Sequence, residues 1–411
     1  MNVCSPSLQK MTSIHSDTIS KVAVSEIHTH DPLVWAGLLA DEISAAVDEI
    51  EATRRIPPSL LARLHEARLC RMLLPRSFDG DELHPGHYIR VIEAVARRDA
   101  SVAWNLFVAN SAALLAAHLE PATAQTIFGP ADALVAWGPP SAVVAETEAG
   151  GYRVSGRWGF ASGCRNATWM GAHCRVRDAD GELRKNQYGQ SAVLSILFPA
   201  EQATLLDTWD TIGLRGTASD TYVVEGLFVA EAFTGTREAP EARREPGPLY
   251  AFPMQGIYAV GVAGVALGTA GEMLDAFTGL ASDKAPRGYS RLADSATIQS
   301  GVAKAAARLG AARSYILATL EEIYAHAGAK GAIAVEDRAR VRLATSNAIQ
   351  GGIEVADWVY KQAGVDAIFP GGAFQRRFRD MHTLSQQIQS RDAHFEAVGQ
   401  VLLGSPPAVF Y

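Results

Sequence analysis

From residue 33 to about 130, apolar side chains recur every third or fourth position with acidic and polar residues between them. That is the period of helices that bury one stripe. LVWAGLLADEISAAVDEIEATRRI predicts one helix. PPSLLARLHEARLCRMLLP predicts a second, opened by Pro57 and Pro58 and stopped before Pro75, since proline suits a first turn and breaks a later one. LHPGHYIRVIEAVARRDASVAWNLFVANSAALLAAHL supplies two more, with a break at RRDASVAW. Between 131 and 232 the period shortens to two. GYRVSGRWGFAS alternates, SAVLSILFP is a short apolar run, and TYVVEGLFVA is rich in β-branched residues. This block predicts plain antiparallel sheet, joined by polar loops such as DADGELRKNQYG.

Helices return after residue 232. MQGIYAVGVAGVALGTAGEMLDAFTGLA, TIQSGVAKAAARLGAARSYILATLEEIYAHAG and VEDRARVRLATSNAIQGGIEVADWVYKQAG are long and alanine-rich. A fourth helix is predicted from GGAFQRRFRDMHTLSQQIQ onward, with Phe374, Phe378, Met381, Ile388, Phe395, Val398 and Leu402 on one stripe. Four such helices make an antiparallel bundle. The small residues of GVAGVALGTAG allow close helix approach and suit an oligomer interface. The predicted fold is therefore mainly α with a central β domain. Its parts are a flexible tail (1–32), a helical domain (33–130), a β barrel or sandwich (131–232) and a four-helix bundle (233–411).

Composition narrows the class. With 48% hydrophobic and 20% charged residues among 411, the chain has the make-up of a packed globule rather than a disordered one. A net charge of −7 offers no basic footprint for nucleic acid. No apolar run is read as reaching the roughly 18 residues that span a bilayer, and the start has no apolar core of signal-peptide type. Cys4, Cys70, Cys164 and Cys174 are too scattered for a disulfide framework, so reduced thiols and a cytoplasmic setting are expected. His28 and His30 in IHTHD mimic a ligand spacing but lack partners, so no metal is expected. GxxxxGKS/T, GxGxxG after a strand, GxSxG and HExxH are all absent, which removes the common nucleotide-loop and hydrolase readings.

One stretch does not read as ordinary sheet. FASGCRNATW, residues 160–169, crowds small, polar and aromatic residues at a strand end. Gly163 and Asn166 are turn formers, so a hairpin or bulge is one reading. The other is a backbone wall against a flat ligand, with the Ser162 hydroxyl beside it.

Helices, a β layer and then a four-helix bundle form a rare order. With RDASVAWN, GGYRVSGRWGFASGCRNATW, GLRGTASDTYVVEGLFV and QRRFRDMHTLSQQ, the chain resembles the acyl-CoA dehydrogenase superfamily over about residues 33 to 405. It is most similar to the flavin-dependent monooxygenase branch, which includes the oxygenase component of 4-hydroxyphenylacetate hydroxylase, dibenzothiophene monooxygenase and indole oxygenases. The resemblance implies FMN or FAD between the β layer and the bundle, delivered reduced by a separate flavin reductase. It implies O2 addition to give a C4a-hydroperoxide, a small aromatic or heteroaromatic substrate, and a homotetramer.

Residue by residue, the resemblance puts Ser162 near flavin N5, with Gly163 allowing close backbone approach. It sets Trp137, Gly138 and Pro139 along another ring edge, and Thr217 and Ser219 of RGTAS near phosphate or substrate. Arg287 and Gln299 correspond weakly to positions serving a neighbouring subunit's flavin, and Gly371 and Gly372 to a loop at the cofactor's far end. Trp104, Asn105, Asn110 and His118 are candidate substrate-pocket residues. In hydroxylase relatives a histidine follows the Arg-Asp of the last helix by seven positions. Here Arg379 and Asp380 are followed at that spacing by Gln387, which cannot act as a base at neutral pH. Heptad geometry is expected to align Asp380, Gln387 and His394, with His382 pointing away. The substitution favours a substrate needing no such base, such as an indole, thioether or amine; His118 or Asn110 could otherwise handle protons. The alternatives are an acyl-CoA dehydrogenase, for which Glu354 is the nominated base, and a flavin-free scaffold of the same fold.

Overall fold

Seven helices precede the sheet in the computed structural model, which describes residues 30–186, 189–236, 240–288 and 290–405. The expected tail lies outside the described residues up to position 29, His28 included, and Pro32 already opens a helix. The first predicted helix is three short ones: α1 (Pro32–Leu38), α2 (Ala40–Ala45) and α3 (Val47–Thr53). Its joints at Leu39 and Ala46 keep near-helical φ but relax to ψ near zero. The chain thus bends twice while Leu39, Ile43 and Ile50 all stay in the core. After α4 (Pro58–Glu66) come α5 (Pro85–Ala96), α6 (Ala100–Ala113) and α7 (Pro121–Phe128). Asp99 caps α6, its carboxylate accepting from the Val102 N–H at 2.9 Å, as a cap aspartate should. The same carboxylate pairs with Arg376, tying this end of α6 to the C-terminal helices.

The middle block is a sheet with strand order β6-β7-β3-β2-β4-β5-β8. Its strands are β1 (Val135–Trp137), β2 (Val144–Glu148), β3 (Gly151–Ala161), β4 (Trp169–Arg177), β5 (Val193–Pro199), β6 (Thr204–Leu206), β7 (Asp220–Ala230) and β8 (Thr234–Gly235). The sheet is mixed rather than antiparallel. β1 and β2 both run parallel to β4, one beside residues 169–171 and the other beside 175–177. Alternation reports which face a side chain takes, not which way a neighbour runs, so the pattern could not show this. Inside the sheet Trp158 stacks on Tyr222, ring centroids 5.2 Å apart.

The bundle contains α8 (Met254–Asp283), α9 (Ala296–Lys330) and α10 (Val335–Ala363). The predicted fourth helix is broken into α11 (Gln375–Ser385) and α12 (Ala393–Leu402). Gln387 is extended, with ψ at 147°. Ser390 donates its hydroxyl to the Leu384 carbonyl and accepts at its own carbonyl from Gln350. These tertiary bonds override the heptad stripe, leaving Ile388, Phe395 and Leu402 exposed while Met381 and Val398 stay buried.

α8 and the α6 region (Ala100–His118) are, contrary to expectation, long and apolar enough to cross a membrane, yet are 89% and 94% buried inside the protein. They are core helices, apolar all round because they are covered all round. The small residues of α8 serve the same burial: a Cβ on Gly268 would lie 2.3 Å from the Glu93 carbonyl of α5. The close approach expected there is within the chain, not an oligomer face. One apolar core runs through the N-terminal helices and the bundle, and a second fills the sheet.

Candidate active site

Register explains why two serines meet. Ala161 of β3 pairs with Asp220 of β7, so the next residue on one strand, Ser162, faces the preceding residue of the other, Ser219. Their hydroxyl oxygens are 2.7 Å apart. Ser219 lies 2.7 Å from the Thr217 hydroxyl, which donates to the Leu214 carbonyl at 2.8 Å. On the other side the Trp104 indole N–H of α6 donates to Ser162 at 3.1 Å. All four side chains are buried, with Ser162 8% and Thr217 0% exposed. The strand irregularity just before Ala161 puts Phe160 at a positive φ of 58°, with its ring exposed against Trp209.

The GLRGTAS loop is held by two glycines that admit neighbouring chains. A Cβ on Gly213 would meet the Arg379 carbonyl at 2.2 Å, and one on Gly216 would meet Ile50 at 2.1 Å. The loop is therefore clamped between α11 and α3. The Leu214 N–H donates to Asp380 at 2.6 Å. Burial pushes the Asp380 carboxyl up to about 7, with Arg376 opposing and Asp99 and Glu51 adding to the rise. Arg165 pairs with buried Asp220 at 2.6 Å, and Asp220 accepts from the Thr208 and Trp209 N–H groups. These supports were not legible as such. The two glycines outside any turn signal were the one available hint.

A narrow cleft opens at Ser162 and Gly163. Ile56, Leu61 and Leu64 wall it, with Leu106 and Ala109 of α6 and Val135 and Ala136 of β1. It lies between the sheet and the N-terminal helices, whereas the resemblance put the flavin between the β layer and the bundle. α11 instead grips the loop that carries Thr217. Asn105 lines the cleft. Its amide NH2 donates to the Gly216 carbonyl at 3.0 Å, and a carbonyl only accepts, so the amide cannot be turned round. Its buried Oδ1 has no hydrogen-bond partner among the described residues. Cys70 also lines the cleft, its thiol pushed by burial up to about 12 and so neutral.

The remaining candidates lie elsewhere. Trp137 and Gly138 are buried at the end of β1, Trp137 tilted on His173 at 4.8 Å, while Pro139 is exposed. Asn110 is 0% exposed and spends its amide on Leu73 N–H and on the Leu69 and Leu106 carbonyls. It is a tie between α6 and the chain after α4. His118 is partly buried in the turn after α6, its pKa lowered by burial and then by Arg243. Arg287 and Gln299 are exposed around the α8–α9 connection, and Gly371 and Gly372 in the loop before α11. Gln387 does not share a helix face with Asp380; its side chain accepts from the Gln389 N–H at 2.6 Å. His394 donates its Nε2–H to the Ile388 carbonyl at 2.8 Å, and His382 pairs with Asp357 at 2.9 Å. Glu354 is exposed and paired with Arg308.

A buried hydroxyl and an unpaired amide oxygen in a mostly apolar cleft, with Cys70 and Asn166 also in its lining, suit a flat, mostly apolar ring with a hydrogen-bonding edge. The sequence matches the acyl-CoA dehydrogenase N-terminal domain over residues 35–126 and the acyl-CoA dehydrogenase C-terminal domain over 260–391. It is 30% identical over 371 residues, 89% of this chain and 92% of the other, to an indole-3-acetate monooxygenase of Pseudomonas putida. It is 28% identical to the oxygenase component of an FADH2-dependent resorcinol hydroxylase of a Rhizobium strain, over 90% of this chain and 93% of that one. The structure of XiaF from Streptomyces, in complex with FADH2 and glycerol, superposes with a TM-score of 0.83 at 25% identity, covering 92% of this chain and 96% of that chain. The chain belongs to the acyl-CoA dehydrogenase family. Within it, the chain is the oxygenase component of a flavin-dependent monooxygenase.

Proposed function

We propose that this oxygenase takes reduced FMN or FAD from a separate flavin reductase and oxygenates a small aromatic or heteroaromatic ring bearing an N–H or O–H. The Ser162 hydroxyl, anchored by Trp104 at the wall of the cleft, carries this reading. Bound there, the flavin would supply the oxygen-activating chemistry. Ser162 would hold the proton facing its edge, and the aliphatic walls would exclude water. Asn105 Oδ1, unpaired and fixed in direction, favours a substrate that donates a hydrogen bond; the indole and resorcinol named for two relatives are rings of that kind. We further propose a cytoplasmic homotetramer. Exposed Val365, Ile368 and Phe369 beside the bundle offer apolar surface for such an assembly.

The test supplies reduced FMN or FAD through a generic reductase, with isotope-labelled O2 and a panel of indoles and phenols. One labelled oxygen atom per product is expected. Ser162→Ala should raise the share of flavin reoxidised without product. Bleaching of oxidised flavin by an acyl-CoA, with no labelled product from the panel, would favour the dehydrogenase reading instead. Exposed Glu354 gives that reading no buried base.

A further inference from the structure

Counting protons along the hydroxyl chain gives it two directions. The Trp104 indole can only donate, so Ser162 accepts from it. The Leu214 carbonyl can only accept, so a Thr217 hydroxyl bonded to it has committed its one proton there. Ser219 must then donate to Thr217, and Ser162 to Ser219. In that order every hydroxyl proton points away from the cleft.

The reverse order is equally complete once an acceptor stands in the cleft. Ser162 then donates outward, Ser219 donates to Ser162, and Thr217 donates to Ser219. The Leu214 carbonyl loses the Thr217 hydroxyl but keeps the Trp209 indole N–H at 2.9 Å and the Thr217 backbone N–H at 3.1 Å. No buried group is left unpaired, so reversal avoids the penalty of an orphaned acceptor.

We propose that Ser219 and Thr217 are positioning residues that let Ser162 alternate between donating to and accepting from the flavin edge, and that the direction follows the flavin's redox state. This rests on the reading above that a flavin edge meets Ser162. Flavin N5 is a bare acceptor when oxidised and carries an N–H when reduced. With oxidised flavin, Ser162 accepts from Trp104 and Ser219 and donates to N5. With reduced flavin, it accepts from Trp104 and N5–H and donates to Ser219. The switch is three O–H rotations; no covalent bond forms or breaks.

Thr217→Val keeps the shape but removes the last hydroxyl, leaving the Ser219 proton only Ser162 to bond, so Ser162 is held as a donor. Dissociation constants are measured for oxidised and anaerobically reduced FMN and FAD, with the N5 resonance of nitrogen-labelled oxidised flavin. Thr217→Val is expected to shift the ratio of affinities toward oxidised flavin by about twofold to tenfold, the effect of one net hydrogen bond. It should also move the N5 resonance further toward the hydrogen-bonded position. Thr217→Ser should restore the wild-type ratio. Ser219→Ala removes the middle link, should shift the ratio in the same sense, and serves if Thr217→Val does not fold. An unchanged ratio in these variants, or Thr217→Ser behaving like Thr217→Val, would overturn the relay while leaving the flavin site intact. Failure of the unaltered protein to bind either flavin state would overturn the reading beneath it as well.

Discussion

Leu214 donates its N–H to Asp380 at 2.6 Å while its carbonyl accepts from the Thr217 hydroxyl at 2.8 Å. One residue thus joins α11 to the hydroxyl chain that ends at Ser162. Leu214 sits at a φ of 50°, a left-handed conformation that costs a leucine about 1–2 kcal/mol. It is held by bonds on both sides. α11 therefore acts on the site through this loop rather than by lining the cleft.

Asp380 should make stability depend on pH. Its folded carboxyl titrates at about 7, against roughly 3.9 in an unfolded chain. Between those values the folded protein holds a proton that the unfolded chain has released. Stability from this group is thus full below about pH 4, falls as pH rises, and is lost above about 7. Asp380→Asn keeps an acceptor for Leu214 and should flatten the fall. Thermal midpoints of both proteins across this range check it; parallel curves would count against the shifted carboxyl.

The loop glycines should resist any side chain. Gly213→Ala drives a methyl into the Arg379 backbone, and overpacking of this kind typically costs about 1–3 kcal/mol. Gly399→Ala, on α12 with open space around it, should instead stabilise by about 0.5–1 kcal/mol. Urea midpoints of the two variants should move in opposite directions.

Asn105→Leu should separate flavin from substrate recognition. The unpaired amide oxygen is lost, so rings with an N–H or O–H should bind about tenfold more weakly, while analogues lacking the donor are little affected. Flavin affinity should stay within about twofold of the parent. Equal losses for both ring classes, measured by competition binding, would argue against Asn105 as a reader.

Asn110→Ala is expected to act on stability alone. Two buried backbone groups, the Leu73 N–H and the Leu69 carbonyl, lose their partner, a deficit of about 2–6 kcal/mol at roughly 1–3 kcal/mol per orphaned group. Substrate preference should be unchanged in whatever fraction folds, as turnover ratios on paired substrates would report.

Gln387→His should not install a catalytic base. The side chain caps its own turn and is absent from the cleft wall. A loss of about 0.5–1 kcal/mol from the weakened cap is expected, with the pH profile of turnover unaltered. A new limb in that profile near the histidine pKa would show that this turn swings into the site.

Hydrophobic period alone determined the succession of helix, sheet and helix, because burying a stripe or a face leaves a direct trace along the chain. The same trace located α5, α6 and the three long bundle helices. It failed at the fourth, where Ser390 and Gln350 hold a turn that the apolar spacing of Phe374 to Leu402 runs straight through. FASGC and GLRGTAS stood out as irregular, but their relation did not, since Ser162 and Ser219 are 57 residues apart and only strand register sets them face to face. Nor could local sequence tell Asn105 from Asn110. Both are amides on α6, and which one is spent on packing and which one faces a cleft depends on what the rest of the chain lays against them. Local patterning chose the elements; hydrogen bonds between distant segments, made or left open on burial, chose the site.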